Sequence, residues 1–263
     1  MSIIMATLLP SHADTSPAQT SMAAFRAALP DDRAQSVIAD TLCGLGVHHH
    51  LAKGQALAGD SAHDRLVYIA AGATKLAVQP RTAEDSASAS AVQVLAFHFA
   101  GDMISVLRQN AAEGGDDLRL IALADCHLIA FATDAFLDVA QADPAVLRWV
   151  LTRSLQTIHR SRTRMMQLGH KSARQRIADF LMSMAERLSD SHSGTCRLML
   201  PMSRRDIGDS LGLTIETVSR QFTELREAGL IETRGRSLVR LLDLGALAQA
   251  AGQTRFAGPV QQI

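Results

Sequence analysis

The sequence is poor in aromatic residues, which make up 4% of 263, with a single Trp and a single Tyr. Apolar content is nonetheless 47%, so the cores must be built from Leu, Ile, Val, Ala and Met. Cysteine is scarce as well. Cys43, Cys126 and Cys196 stand far apart and form no CxxC pair, which argues against a disulfide framework and fits a reducing cytoplasm. The apolar start, Met1 to Pro10, lacks a basic n-region, and no run reaches the ~18 apolar residues a membrane span needs. A soluble cytoplasmic chain with no membrane partner is expected. Gly-rich phosphate loops, metal-ligand spacings and nucleophile–base motifs are missing too, so an enzyme is not expected.

There is no excess of either charge: 26 basic residues face 26 acidic ones. The distribution is uneven, however. Arg160 to Arg240 holds 15 Lys/Arg and 9 Asp/Glu, and the remainder holds 11 and 17. A basic C-terminal part on a neutral chain fits a phosphate-binding module tethered to something else, although an ordinary solvated face has the same composition.

At roughly 100–200 residues per domain the length suggests two domains. Residues 1–24 are rich in Ser, Thr, Ala and Pro and read as a mobile tail. Phe25 to Leu45 can form one or two short helices. From about residue 50 to 136, short apolar stretches alternate with Gly and Asp turns. These stretches are Leu66–Ile69, Lys75–Val78, Val92–Phe97, Leu118–Ala122 and His127–Phe131. Short strands at regular spacing predict an antiparallel sandwich or roll over residues 25–143. The polar run Arg81–Ser90 reads as a hairpin loop. Three adjacent histidines, His48, His49 and His50, cannot share one face of a strand, so they read as a polar start to the domain rather than a ligand set, and His98 is read alike.

Pro144 opens a long helical stretch over residues 144–171, with Val146, Trp149, Val150, Leu155, Ile158, Met165 and Met166 at roughly helical spacing. Its length favours burial of the stripe against a second copy, with Val146, Trp149, Val150, Ile158 and Met165 at the interface. Packing within its own domain is the alternative. A second helix, Ala173 to Leu188, carries Ile177, Phe180, Leu181 and Met184 on one face.

Residues 172–252 then read as a winged helix-turn-helix, followed by a tail at 253–263. Ser203 and Asp206 make a capping-box-like start. Gly212 permits the sharp turn, and Thr214 can cap the next helix. In that helix Ile215, Val218, Phe222 and Leu225 form the inward stripe. Glu216, Ser219, Arg220 and Thr223 lie one above another on the outward face. Arg can pair with guanine O6 and N7, Glu can accept from cytosine N4, and Ser can meet several base edges. A plain i, i+4 ion pair between Glu216 and Arg220 is the competing account. Gly229 to Leu241 reads as strand, Arg-Gly-Arg turn, strand: a basic hairpin wing.

The run Arg205-Asp-Ile-Gly-Asp-Ser-Leu-Gly-Leu-Thr-Ile-Glu-Thr-Val-Ser-Arg220 resembles the Crp/Fnr family of bacterial regulators, in its Fnr and FixK branch. Leu51–Gln55, Gly59-Asp60, Val67–Gly72 and Phe97–Asp102 are similar to that family's eight-stranded sensor roll. The resemblance implies an α+β homodimer with an N-terminal antiparallel β-roll, a long dimerisation helix and a C-terminal winged helix-turn-helix. It implies binding to double-stranded DNA at a palindromic TTGAT-N4-ATCAA-like operator and contact with RNA polymerase, in the regulation of low-oxygen respiratory genes. Glu216, Ser219 and Arg220 would read bases, while Ser203, Arg205, Thr214, Thr217, Arg234 and Arg236 would hold the DNA backbone.

Departures narrow the branch. An iron–sulfur cluster usually takes four thiolates, and only Cys43 lies in the N-terminal segment. The Gly-Glu-Leu and later Arg that grip a cyclic nucleotide do not follow Gly101–Leu107. A FixK-like regulator without cofactor or small-molecule effector is therefore expected. The alternative is a haem-dependent sensor of nitric oxide or carbon monoxide from the same family.

Overall fold

The computed structural model describes residues 16–30, 32–60, 63–79, 93–106, 117–189 and 194–253. The expected loop at Arg81–Ser90 lies outside them, as do residues 1–15 and 254–263. Part of the stretch expected as a mobile tail is helical, because helix α1 spans Pro17–Ala28. Ser16 and Gln19 form a reciprocal capping box, Pro17 occupies the first turn, and fully buried Phe25 anchors the helix.

Helix α2 (Val37–Leu45) leads, among the described residues, into seven strands: β1 (Val47–Leu51), β2 (Arg65–Ala71), β3 (Ala73–Gln79), β4 (Gln93–Phe99), β5 (Met103–Val106), β6 (Asp117–Ala122) and β7 (Cys126–Ala132). They pair antiparallel as two sheets, β1-β7-β2-β5 and β4-β3-β6. An isolated bridge from Ala56 to Ile121 extends the second sheet. Alternation of side chains divides the strands between separate cores. Leu51, Val67, Ile69, Ile104, Leu120 and Leu128 fill the space within the roll. On the outer face of the first sheet, Tyr68 and Phe131 meet Phe25, Leu42, Phe136 and Val146. Helix α3 (Thr133–Ala140) and the start of α4 (Pro144–His170) close this second core.

Helix α4 has 27 residues, about 40 Å at 1.5 Å per residue. Its stripe is divided. Val146 and Val150 are buried in the roll's own core and not on a free face, which corrects their expected place at a dimer interface, and Trp149 is half-buried beside them. Leu147, Leu151, Leu155, Ile158 and Met165 are exposed instead.

The C-terminal domain contains α5 (Ala173–Leu188), β8 (Cys196–Met199), α6 (Arg204–Leu211), α7 (Ile215–Glu227), β9 (Ile231–Arg234), β10 (Leu238–Leu241) and α8 (Leu244–Ala250). Its sheet has the order β8-β10-β9. This domain rests on the outer face of the second roll sheet, where Phe97 meets Phe180 edge-on. Polar contacts surround that seam. Lys75 Nζ donates to Asp206 Oδ1, and Gln93 Nε2 donates to the Asp209 carbonyl at 2.6 Å. Arg187 reaches Asp102 and the Phe97 carbonyl.

Arg164 of α4 joins both domains. It donates to the carbonyls of Val94 and Ser210, each at 3.0 Å, and to that of Leu95. Burial pulls its pKa down to about 10, which leaves it charged at neutral pH. Arg164→Ala strands these carbonyl acceptors. The expected cost is about 2–3 kcal/mol, read as a lower midpoint in chemical denaturation. Arg164→Lys should recover little, because an ammonium lacks the planar fork that serves several acceptors.

Candidate nucleic-acid interface

Helices α6 and α7 meet through a turn that two glycines make possible. A Cβ at Gly208 would lie 2.6 Å from the Leu213 carbonyl oxygen, so only glycine lets the turn fold back on the first helix. Gly212 ends α6 in the left-handed region, at φ 63°. The N-cap of α6 is closed reciprocally. Ser203 Oγ accepts from Asp206 N at 3.1 Å and donates to Asp206 Oδ2 at 2.6 Å. Thr214 caps α7, accepting from Thr217 N at 3.2 Å, with the two threonine hydroxyls 3.1 Å apart.

Val218, Phe222 and Leu225 are buried as expected, but Ile215 is 39% exposed. Ile215 is the first residue of α7, and Gln221, not Ile215, completes the buried face. Arg204 sits over the Phe222 ring, 3.1 Å from its centroid, and burial brings its pKa down to about 10. Adjacent arginines thus differ: Arg204 seals the helix pair and Arg205 is exposed.

Glu216, Ser219 and Arg220 are all exposed on the outward face of α7. The Glu216 carboxyl lies below its ordinary pKa, through its own backbone N–H at the helix start and then the Thr214 hydroxyl. It is therefore ionised and acceptor-only at neutral pH. Ser219 Oγ donates to the Ile215 carbonyl at 2.8 Å, leaving its lone pairs free to accept. Arg220 is 68% exposed, and its close acidic neighbour is Glu224, at 3.9 Å. The Glu216–Arg220 pair of the competing account is not the ion pair formed. Arg234 and Arg236 flank the tip between β9 and β10, where Gly235 has φ 64°, and both are exposed. Thr217 is half-buried.

The family profile described as the Crp-like helix-turn-helix domain matches residues 175–250. The transcriptional activator protein FnrL of Cereibacter sphaeroides is 30% identical over 200 residues, covering 74% of this chain and 77% of FnrL. The chain belongs to the Crp/Fnr family of transcription regulators. Within it the chain falls in the FixK-like branch. The nitrogen fixation regulation protein FixK of Bradyrhizobium diazoefficiens is 34% identical over 139 residues, 53% of this chain and 57% of that protein. The match to FixK of Azorhizobium caulinodans spans 61% of its length at 34% identity, so this chain matches about three fifths of either. The structure of FixK2 from Bradyrhizobium japonicum has a TM-score of 0.63 at 27% identity, covering 78% of this chain and 96% of FixK2.

Two groups bound within this family fit the residues poorly. For an iron–sulfur cluster, the thiols are dispersed over three regions. Cys43 is half-buried on α2, Cys126 is buried in β7 and donates to the Ala73 carbonyl at 3.0 Å, and Cys196 is buried in the other domain. Burial raises the pKa of Cys43 and of Cys126, disfavouring the thiolates a cluster needs. For haem, the roll's interior is packed with aliphatic side chains. His98 is buried there beside Asp102, with Nδ1 3.7 Å from a carboxylate oxygen.

Proposed function

We propose that this protein is a homodimeric regulator that binds a TTGAT-N4-ATCAA-like palindrome without a cofactor and contacts RNA polymerase to control respiratory genes at low oxygen. The observation that carries this reading is the exposed trio on α7. An ionised carboxylate, a hydroxyl with free lone pairs and an extended guanidinium share one helix face, the donor and acceptor set that reads a G·C pair in the major groove. The docking of such a helix follows the helix-turn-helix pattern, of which the cyclic-AMP receptor in this family is a standard example.

Arg205, Arg234 and Arg236 hold phosphates in this reading, with Thr214 and Thr217 near the backbone at the start of α7. Ser203 contributes mainly as the cap of α6, since its hydroxyl is already engaged by Asp206.

The test is fluorescence anisotropy on the palindrome and on a scrambled duplex, in buffer free of iron, haem and cyclic nucleotide. Specific binding by the unsupplemented protein is expected, and strict dependence on any of the three groups would contradict the reading. Arg234→Ala and Arg236→Ala should weaken both duplexes alike. Each should flatten the slope of log K against log salt by about one unit for every phosphate no longer neutralised.

A further inference from the structure

The three histidines at the start of the roll do not act as one group. Strand alternation turns His49 toward the roll's interior side, where it is half-buried, and places His48 and His50 together on the outer face. The neighbouring strand supplies another imidazole to that face, since His127 of β7 stands directly opposite His50 in the ladder. Asp125, at the corner before β7, reaches the same spot, with Oδ1 2.7 Å from His50 Nε2. His48 Nε2 lies 3.1 Å from His127 Nδ1. The His127 ring is stacked between the other two, with centroids 5.3 Å from His48 and 5.0 Å from His50.

We propose that this cluster is a binding site for a divalent transition-metal ion, Zn2+ being the probe of choice. His50, Asp125 and His127 are three ligands, and His48 closes the fourth position. One ligand atom from each of the three lies within 4.8 Å of those from the other two. Zinc takes imidazole nitrogen and carboxylate oxygen at about 2.0–2.2 Å in a tetrahedron, which sets the donors about 3.3 Å apart. Rotation about the imidazole χ2, a broad torsion, closes the difference without moving the strands. Two or three imidazoles with one carboxylate suit a borderline ion of the Zn2+ or Ni2+ type rather than Ca2+ or Mg2+, which prefer all-oxygen shells.

The site has a mechanical consequence. Among the described residues, strand β1 is the edge of its sheet and pairs with β7 alone. An ion bound to His48, His50, Asp125 and His127 would staple that edge to its neighbour and to the corner that precedes it. It lies on the roll, remote in sequence from the DNA-reading helix, and operator binding is not expected to depend on it.

Calorimetric titration of Zn2+ into untagged, chelator-treated full-length protein tests the assignment. One saturable equivalent per chain is expected. His50→Ala and His127→Ala should each weaken it by at least about tenfold, the loss that even supporting residues around a metal produce. His49→Ala, on the other face, should bind as the parent does, which separates this site from general histidine affinity. The proposal is overturned if the parent shows no saturable equivalent, or if the His50 and His127 variants bind as tightly as the parent. Operator binding by the same chelator-treated protein is scored separately, so the two readings fail independently.

Discussion

Arg220→Ala is expected to abolish discrimination at one G·C pair in each half-site while leaving binding to unrelated DNA almost unchanged. Arg220 projects from α7 with only a loose partner in Glu224, so its removal frees no buried charge and should not unfold the domain. A bidentate arginine–guanine pair is worth about 1–3 kcal/mol of discrimination, and a dimer has two of them to forfeit. Specific affinity should therefore fall by about 2–6 kcal/mol, roughly 30-fold at the low end. If the wing arginines supply phosphate attraction independently of sequence, as proposed, the salt slope should stay close to that of the parent. Competition between the palindrome and a duplex mutated at the G·C pairs reads the effect. Full discrimination by Arg220→Ala, or loss of discrimination in Arg234→Ala alone, would refute the assignment of roles.

Charge on the exposed stripe of α4 should have the second large effect. Leu151, Ile158 and Met165 are spaced by sevens and are 56%, 46% and 69% exposed. A row of apolar residues at that period is the pattern of a helix that packs against another along its length. Leu151→Glu with Ile158→Glu removes two apolar side chains from the stripe of each protomer. At about 1.5–3 kcal/mol for burying such a side chain, the dimer should weaken by well over 100-fold in dissociation constant. Operator affinity should fall with it, since each monomer keeps only one half-site. Sedimentation velocity at several concentrations is the readout, and an unchanged dimer would remove α4 from the interface. Val150→Glu is a poor probe by comparison, because Val150 is buried within the roll and its replacement disrupts that core directly.

The division of α4 illustrates how much the sequence discloses. Helical period identifies the helix and nearly its bounds, Pro144–His170. Which part of a broad apolar face is already covered depends on α1 to α3 and on Phe25 and Phe136, and no spacing along α4 encodes that. Strands β2, β3, β4, β6 and β7 were legible because Gly, Asp and other polar residues bracket their apolar runs in the sequence. Strand β1 was not, since Val-His-His-His-Leu shows no apolar alternation and is held by its ladder to β7. His127 met its partners for the same reason: its pairing with His48 spans 79 residues of chain, and only antiparallel register sets it.

The helix pair α6 and α7 was legible almost residue by residue, because caps, turn glycine and helical period act locally. Its exceptions are tertiary. Ile215 is uncovered because it begins α7, and Gln221 is buried where period alone favours an apolar residue. Arg204 and Arg205 are indistinguishable in sequence, yet the first lies on Phe222 and the second faces solvent. The contacts of α6 with Lys75 and Gln93 leave no local trace either, since they join segments more than a hundred residues apart.

Selection from a pool of random duplexes by the purified protein, with no iron, haem or cyclic nucleotide added, tests the central claim most directly. Two TTGAT-like half-sites in inverted repeat, about one helical turn apart centre to centre, are the predicted product. Enrichment of a different half-site, of a single unpaired half-site, or of no sequence at all would contradict it.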